Sequence, residues 1–180
     1  MTIRRLCLLL AAFLPFGKRV IYRLFGAQIG KGVRLGFGAV LLFDRMTLGD
    51  NVTIGSATIV DCQDIAIGTR SRIGSLVAIS ANTLEFGPSC TVSSRATIRG
   101  NRCDPRSRLT AGAECWIFDF CFLDVTCPVA LGRNVGLGGG SYVFTHGYWL
   151  PQLHGYPVSY GAVTIEDDVW LPWDCFVMPG

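Results

Sequence analysis

Residues 29–36 read IGKGVRLG, and the same arrangement returns in residues 48–55 (LGDNVTIG), residues 67–74 (IGTRSRIG) and residues 86–93 (FGPSCTVS). Each stretch begins 19 residues after the previous one and holds two large apolar residues six positions apart, each followed by glycine or, once, by serine. A fixed period of this length is typical of a solenoid, in which each repeat forms one coil stacked on its neighbours. The interval divides into six, six and seven residues, which predicts a coil with three sides.

Each group of six residues has a constant internal pattern. A large aliphatic residue comes first, glycine usually comes second, and the fifth position is small or β-branched: Val33, Ala39, Val52, Thr58, Ser71, Val77, Cys90, Ala96. We expect the aliphatic residue to fill the core, the glycine to supply a positive φ at a corner, and the fifth residue to fit a crowded inner corner. A helix would show a period near 3.6, and a meander would alternate every two residues. The pattern predicts an all-β chain folded as a parallel β-helix.

The later coils keep this phase but contain extra residues. We expect them to begin near Leu109, Leu131 and Ile165, at intervals of 23, 22 and 34 residues, which gives about seven coils within residues 27–180. The last interval exceeds a 19-residue coil by 15 residues, which must leave the helix as a loop at about 141–161. Loops on a rigid scaffold are where functional residues concentrate.

The N-terminal segment, residues 1–26, lies outside the repeat. An apolar run at 6–16 follows Arg4 and Arg5, and three more basic residues come after it. Eleven residues cannot span a bilayer as a helix, which needs about 20. A signal peptide is disfavoured because no small-x-small cleavage site follows the run. We expect a short N-terminal α-helix that caps the first coil, either as a plain docked helix or with a peripheral contact to the inner membrane.

Composition excludes several functions. A net charge of +3 and the absence of basic runs interleaved with aromatic residues argue against nucleic acid as a partner. The eight cysteines include no CxxC pair and no Cys/His cluster, so we predict no metal site and interpret the cysteines as reduced packing residues. Reduced cysteines favour a cytoplasmic location.

Both histidines lie in the expected loop, which reads SYVFTHGYWLPQLHGYPVSYG from Ser141 to Gly161. A neutral histidine is suited to take a proton near neutral pH, so His146 and His154 are the candidates for general acid–base chemistry. The competing interpretation is a loop histidine that hydrogen-bonds only to backbone.

The repeat over residues 29–180 resembles the hexapeptide-repeat acyltransferase superfamily. That resemblance implies left-handed coils, against the usual right-handed crossover, and a homotrimer with active sites between subunits. It also raises a carbonic-anhydrase type of relative, but the metal of that class needs three histidines and this chain has two.

The phrase FTHGYWLP, followed by GYP and by VTIEDDVW, resembles the catalytic region of the sugar and polysaccharide O-acetyltransferase branch. In that branch the histidine after the threonine is the catalytic base, which implies His146. We expect Tyr148 and His154 to be contacts on the substrate side.

Residues 118–124 read FDFCFLD and resemble a stretch that precedes the catalytic histidine in galactoside and maltose acetyltransferases. The resemblance implies that Asp124 binds the acceptor or orients the histidine. Asp119 stands near positions where those relatives carry asparagine, and it is a second candidate for acceptor binding. The alternative for both aspartates is a solvated turn residue.

The resemblance further implies acetyl-CoA as acyl donor, lying along the coils. Trp170, Pro172 and Trp173 are expected to wall the pantetheine channel, although a tryptophan there could equally pack at a trimer interface. The glycines at 138–140 lack the Lys-Ser/Thr ending of a phosphate loop, so a coil corner explains them better.

The sequence stops at Met178-Pro179-Gly180, inside a coil, and its last basic residue is Arg133. Members of the superfamily continue for further coils that supply basic residues for the coenzyme phosphates. We therefore expect a truncated product in preference to a shortened member with weak activity. The resulting alternatives are an acetyl-CoA-dependent O-acetyltransferase acting on a saccharide or polysaccharide precursor, and an inactive or truncated scaffold without a complete coenzyme A site.

Overall fold

The computed structural model describes residues 3–14, 17–147, 152–156 and 158–179. The chain is mostly β-structure in parallel sheets, with two short α-helices at the N-terminus, α1 (Ile3–Ala11) and α2 (Lys18–Leu24). This arrangement is the one expected of an all-β parallel β-helix. No helix in the described part of the chain is long and apolar enough to cross a membrane.

Short strands follow one another around the coils. Their bounds in chain order are β1 (Gln28–Ile29), β2 (Arg34–Leu35), β3 (Val40–Leu42), β4 (Arg45–Leu48), β5 (Thr53–Ile54), β6 (Ile59–Ile67), β7 (Arg72–Ile73), β8 (Ala78–Phe86), β9 (Thr91–Val92), β10 (Thr97–Arg99), β11 (Arg108–Ala111), β12 (Trp116–Ile117), β13 (Phe122–Asp124), β14 (Val129–Leu131), β15 (Gly136–Leu137), β16 (Tyr142–Val143), β17 (His146–Gly147), β18 (Ser159–Tyr160), β19 (Val163–Ile165), β20 (Trp170–Leu171) and β21 (Phe176–Val177). A 3-10 helix, Gln152–His154, lies between β17 and β18.

The strands stack on three sides. The first side contains β1, β4, the ends of β6 and β8, and then β11, β14 and β19. The second side is β2-β5-β7-β9-β12-β15-β20. The third contains β3, the beginnings of β6 and β8, and then β10, β13, β16 and β21. Each side thus has seven levels in the described residues, and the predicted division into six, six and seven is confirmed for the 19-residue coils.

The register corrects one predicted coil boundary. Phe86 pairs with Ala111, and Ala111 pairs with Leu131, so this coil begins at Ala111 and not at Leu109. The prediction chose Leu109 because it is also buried; it lies two positions before Ala111 in the same strand and pairs with Leu84. The intervals are therefore 25, 20 and 34 residues, and the 25-residue coil contains a smaller excursion at 100–107, between β10 and β11.

The glycine after each aliphatic residue has a different role from the predicted one. Gly55 does not have a positive φ; instead, a Cβ placed on it would lie 2.5 Å from the carbonyl oxygen of Gly74 in the next coil. The left-handed backbone occurs two residues later, as at Ala57 (φ 52°) and Leu76 (φ 58°). Close approach between coils, and not conformational freedom at the corner, explains the glycine.

Apolar side chains from all three sides meet in one core that runs through the stack. The fifth-position residues are buried as predicted; Cys90, Cys115 and Cys121 are examples. Five of the cysteines are buried, as a packing role requires, whereas Cys7 and Cys175 are partly exposed and Cys103 is exposed.

The N-terminal cap consists of two helices where the sequence predicted one. Gly17, with φ 91°, precedes α2 in a left-handed conformation that an uninterrupted α-helix cannot contain. Leu8 and Ala11 of α1 and Tyr22 of α2 are buried in the core at the first coil.

Basic side chains of α2 donate hydrogen bonds to backbone carbonyls at the N-terminal edge of the stack. Each coil donates backbone N–H groups to carbonyls of the next coil, so the corresponding carbonyls of the first coil have no preceding coil to serve them. Arg19 donates to the carbonyl of Val33 at 3.3 Å, and Arg23 donates to that of Ile29 at 2.6 Å. The guanidinium group only donates hydrogen bonds, which suits a row of carbonyls and blocks further strand pairing.

We expect Gly55→Ala to lower the free energy of unfolding by at least about 2 kcal/mol, because the added methyl group meets backbone atoms that cannot move independently. Ser93→Ala is the matched control, since Ser93 occupies the equivalent position on the same side two coils later and already carries a Cβ. Urea unfolding curves measure both variants. A Gly55→Ala protein as stable as the parent would contradict the close-approach explanation.

Candidate active site

A cavity of about 650 Å³ opens on the third side of the β-helix, at its C-terminal half. Strands β10, β13 and β21 supply its wall together with Phe144, which follows β16, and β17 at the start of the large excursion supplies its rim. Asp124 and His146, two of the residues singled out from the sequence, both line this cavity.

His146 and Asp124 form a direct pair. Nδ1 of His146 lies 2.6 Å from Oδ2 of Asp124, and the exposed side-chain fractions are 27% and 7%. Because an ionised carboxylate only accepts hydrogen bonds, Nδ1 of the neutral imidazole carries the proton and Nε2 carries the lone pair. Of the alternatives left open for Asp124, this geometry supports a residue that orients the histidine, and it rules out a solvated turn.

The Asp124 carboxylate is held by a set of donors from two neighbouring coils. Thr126 donates from its hydroxyl (2.6 Å) and its backbone N–H (3.1 Å), and Thr145 does the same at 2.7 and 3.1 Å. Burial raises the pKa of a carboxylic acid, but these hydrogen bonds outweigh burial and hold the pKa of Asp124 below its ordinary value. The pair therefore presents an ionised carboxylate to the imidazole.

The backbone positions His146 through a short antiparallel ladder. Strand β17 pairs with β18, opposite to the parallel order elsewhere, and His146 lies across from Tyr160. The two rings stack at a centroid distance of 5.5 Å and an interplanar angle of 18°. The large excursion begins after β16. Tyr142 and Val143 fall within the loop expected at 141–161, but they pair with β13 and belong to the third side.

Aromatic side chains form the apolar wall of the cavity. Phe122, Phe144 and Phe176 line it, with ring centroids 5.7 Å apart for the first two and 5.9 Å apart for the last two. Tyr142 stacks on Phe176 at 4.8 Å. This wall was not predicted. The register pairs Phe122 with Tyr142 and Tyr142 with Phe176, so the aromatic residues at outward positions along the third side are the sequence signal for it.

Two polar side chains also line the cavity, Arg99 at the end of β10 and Asn101 in the smaller excursion. Neither residue was predicted, because no motif in the sequence marked them.

Asp119 lies elsewhere. It lines a separate depression of about 500 Å³ on the second side, together with Trp116 and Arg72. The structure thus brings Asp124 to His146 and does not bring Asp119 to that cavity.

The other predicted residues are also away from the His146 pair. His154 ends the 3-10 helix and is exposed, and Tyr148 lies outside the described residues. Trp170 (54% exposed) and Trp173 (65% exposed) lie on the second side and contact Phe118 at centroid distances of 6.3 and 6.5 Å. Pro172, between them, is exposed.

Among the described residues, no three histidine, cysteine, aspartate or glutamate side chains are grouped so that they could hold a metal ion. The chain matched no protein-family model and no curated protein. The chemistry of the site therefore has to be inferred from its geometry.

We expect Asp124→Asn to lower the free energy of unfolding by about 2 kcal/mol at neutral pH, because charge-assisted hydrogen bonds to a buried carboxylate are lost. Since the pKa of Asp124 is lower in the folded than in the unfolded chain, this stabilisation is complete above pH of about 4 and is lost as pH falls through the folded value. Urea unfolding at several pH values measures the difference.

The control for this prediction is Asp119→Asn, which removes a carboxylate outside the cavity and should change stability by less than about 0.5 kcal/mol. A difference between Asp124→Asn and the parent that stays constant from neutral to strongly acidic pH would contradict the assignment of an ionised Asp124.

Proposed function

We propose that this protein is an acyltransferase, of the type that moves an acetyl group from acetyl-CoA to a hydroxyl of a saccharide or polysaccharide precursor. The observation that carries the proposal is the pair of His146 with a buried, ionised Asp124 at the rim of a large cavity. A histidine held in this tautomer by a carboxylate is the arrangement that general-base catalysis on a hydroxyl requires. The resemblance of the THGYWLP stretch to sugar O-acetyltransferases supports the same chemistry.

In the proposed reaction, Nε2 of His146 takes the proton of the acceptor hydroxyl while the acceptor oxygen attacks the thioester carbonyl carbon. Asp124 keeps the imidazole in the correct tautomer and stabilises the imidazolium that forms. Backbone N–H groups at a coil corner stabilise the oxyanion of the tetrahedral intermediate. The carbon–sulfur bond then breaks, the thiolate takes the proton from the imidazolium, and the ester is released.

The aromatic wall supports a saccharide as acceptor. Phe122, Phe144 and Phe176 present a flat apolar surface, which suits the C–H face of a sugar ring. Arg99 and Asn101, which also line the cavity, can hydrogen-bond to ring substituents. A pocket with an apolar wall and a few polar groups matches the usual form of small-molecule sites.

The donor site is the part of the proposal that needs a neighbouring subunit. We propose left-handed coils and a homotrimer, as the family resemblance implies. An interface around a three-fold axis joins two different sides of adjacent subunits. The exposed second side, with Trp170, Pro172 and Trp173, would then face the cavity of the neighbour and wall the pantetheine channel. The eight unpaired cysteines support a cytoplasmic location for this assembly.

We expect His146→Ala to lower kcat for acetyl transfer to a responsive sugar by about 10²- to 10⁴-fold. Stabilisation of the fold by acetyl-CoA should persist in this variant, because His146 acts on the acceptor and not on donor binding. Turnover with a panel of sugars and thermal-shift titration with acetyl-CoA measure the two quantities separately.

His154→Ala is the comparison, since His154 is exposed on the 3-10 helix. Its effect should be confined to the acceptor KM. If His146→Ala is as active as the parent, the proposed mechanism is wrong. If the parent neither turns over nor is stabilised by acetyl-CoA, the chain is an inactive scaffold.

We expect Phe144→Ala to raise the acceptor KM about tenfold with little change in kcat, because an apolar wall binds the ground state and the transition state equally. Phe37→Ala, which removes an exposed aromatic ring of the first coil, should leave both constants unchanged. Steady-state kinetics with varied acceptor test this. A variant that loses kcat at unchanged KM would contradict a binding role for the wall.

A further inference from the structure

Helix α1 is apolar on two opposite faces, and only one of them is covered. Leu8 and Ala11 point into the core and are 1% exposed each. Ile3 (83% exposed), Leu6 (43%) and Leu10 (60%) follow a spacing of three and four residues, which places them along one stripe on the other side. Phe13 (64%), two residues after the end of α1, is exposed as well. A helix of a free-standing protein normally turns polar residues to that side.

Further apolar side chains are exposed on α2 and on the first coil. Val20 is 59% exposed and Leu24 is 80% exposed on α2, and Phe37 of the first coil is 64% exposed. The ring of Phe13 contacts that of Phe37 at 6.4 Å, which joins the helix to the coil. We call this set, Ile3, Leu6, Leu10, Phe13, Val20, Leu24 and Phe37, the cap surface.

Ion pairs fix the orientation of α1, so that the cap surface faces outward. Arg5 pairs with Asp61 at 2.6 Å, and Arg4 pairs with Asp44 at 3.5 Å. Arg102 of the smaller excursion reaches the same two aspartates at 2.9 Å each. The basic side of α1 is therefore tied to the β-helix, and rotation of the stripe toward the core would break several ion pairs.

Positive charge predominates at this end of the chain. Residues 1–43 contain seven lysines and arginines and no aspartate or glutamate, whereas the remaining residues contain nine basic and 13 acidic residues. Arg19, Arg23, Lys31 and Arg34 are exposed, and none of them forms an ion pair with a described residue. One end of the molecule is thus both apolar and cationic, while the rest has a net charge of −4.

We propose that the cap surface docks onto an anionic lipid bilayer, with α1 lying in the interface and its apolar stripe among the acyl chains. An apolar stripe flanked by lysine and arginine is the combination that binds anionic interfaces. A second copy of the chain is a poorer occupant, because a symmetric contact would bring two equally cationic ends together. The inference does not depend on the proposed acyltransfer.

The test is cosedimentation of the full chain with vesicles of phosphatidylcholine alone and with vesicles of equimolar phosphatidylcholine and phosphatidylglycerol. The parent should bind the anionic vesicles and dissociate as salt is raised, and it should bind the neutral vesicles weakly. The combined variant Ile3→Ser/Leu10→Ser/Phe13→Ser should bind the anionic vesicles at least about tenfold more weakly. The pair Lys31→Gln/Arg34→Gln should lose about fivefold per charge.

Leu76→Ser/Phe120→Ser/Leu153→Ser is the matched control, because it removes two exposed aliphatic residues and one exposed aromatic residue away from the cap. It should bind vesicles like the parent, and circular dichroism should show the same fold for all variants. Two outcomes would overturn the proposal: a parent that ignores anionic vesicles, or a cap variant that binds as well as the control. A parent that self-associates through the cap surface without binding vesicles would show that a second copy covers it.

Discussion

Backbone N–H groups of each coil donate to carbonyls of the following coil. Gly30 donates to Leu48 at one end of the stack, and Tyr142 donates to Cys175 at the other. These hydrogen bonds fix the distance between the backbones of neighbouring coils. This stacking brings backbones so close that Gly55 has no room for a side chain, and it leaves carbonyls at the first coil to which arginine side chains of α2 donate. It also fixes which outward side chains lie above one another, and so builds the cavity wall.

The candidate site depends on that same stacking. Asp124 comes from one coil, while Thr145 and His146 come from the next, and the hydrogen bonds among them span adjacent levels of the third side. Because four donors from Thr126 and Thr145 hold the carboxylate before any ligand arrives, the histidine is oriented by the scaffold and not by the substrate. The large excursion contributes the antiparallel pair of β17 and β18, which lies beside the imidazole ring.

The sequence was sufficient for the period and the number of coils, since a strict repeat converts distance along the chain into position in space. Asp124 was a candidate only through the family resemblance, which left open whether it binds the acceptor or orients the histidine. The repeat was insufficient where the conversion from distance to position is ambiguous. Leu109 and Ala111 are both buried two positions apart, so periodicity alone could not choose between them. Asp119 is only five positions from Asp124 in the sequence, but the chain turns between them, so that Asp119 lies at the second side. The role of Gly55 could not be predicted because it depends on the position of the next coil. The break before α2 could not be predicted because it depends on the backbone angle at Gly17.

The 34-residue interval between Leu131 and Ile165 has a further consequence for folding. The entropy of closing a loop grows only with the logarithm of its length, so 34 residues in place of 19 add about 0.5 kcal/mol to the cost of adding this coil. Growth of the stack from its uninterrupted 19-residue coils can therefore proceed past the excursion almost unhindered. A repeat architecture of this kind can acquire a long segment at one corner with little thermodynamic resistance, and the loop is then free to vary while the ladder beneath it stays constant.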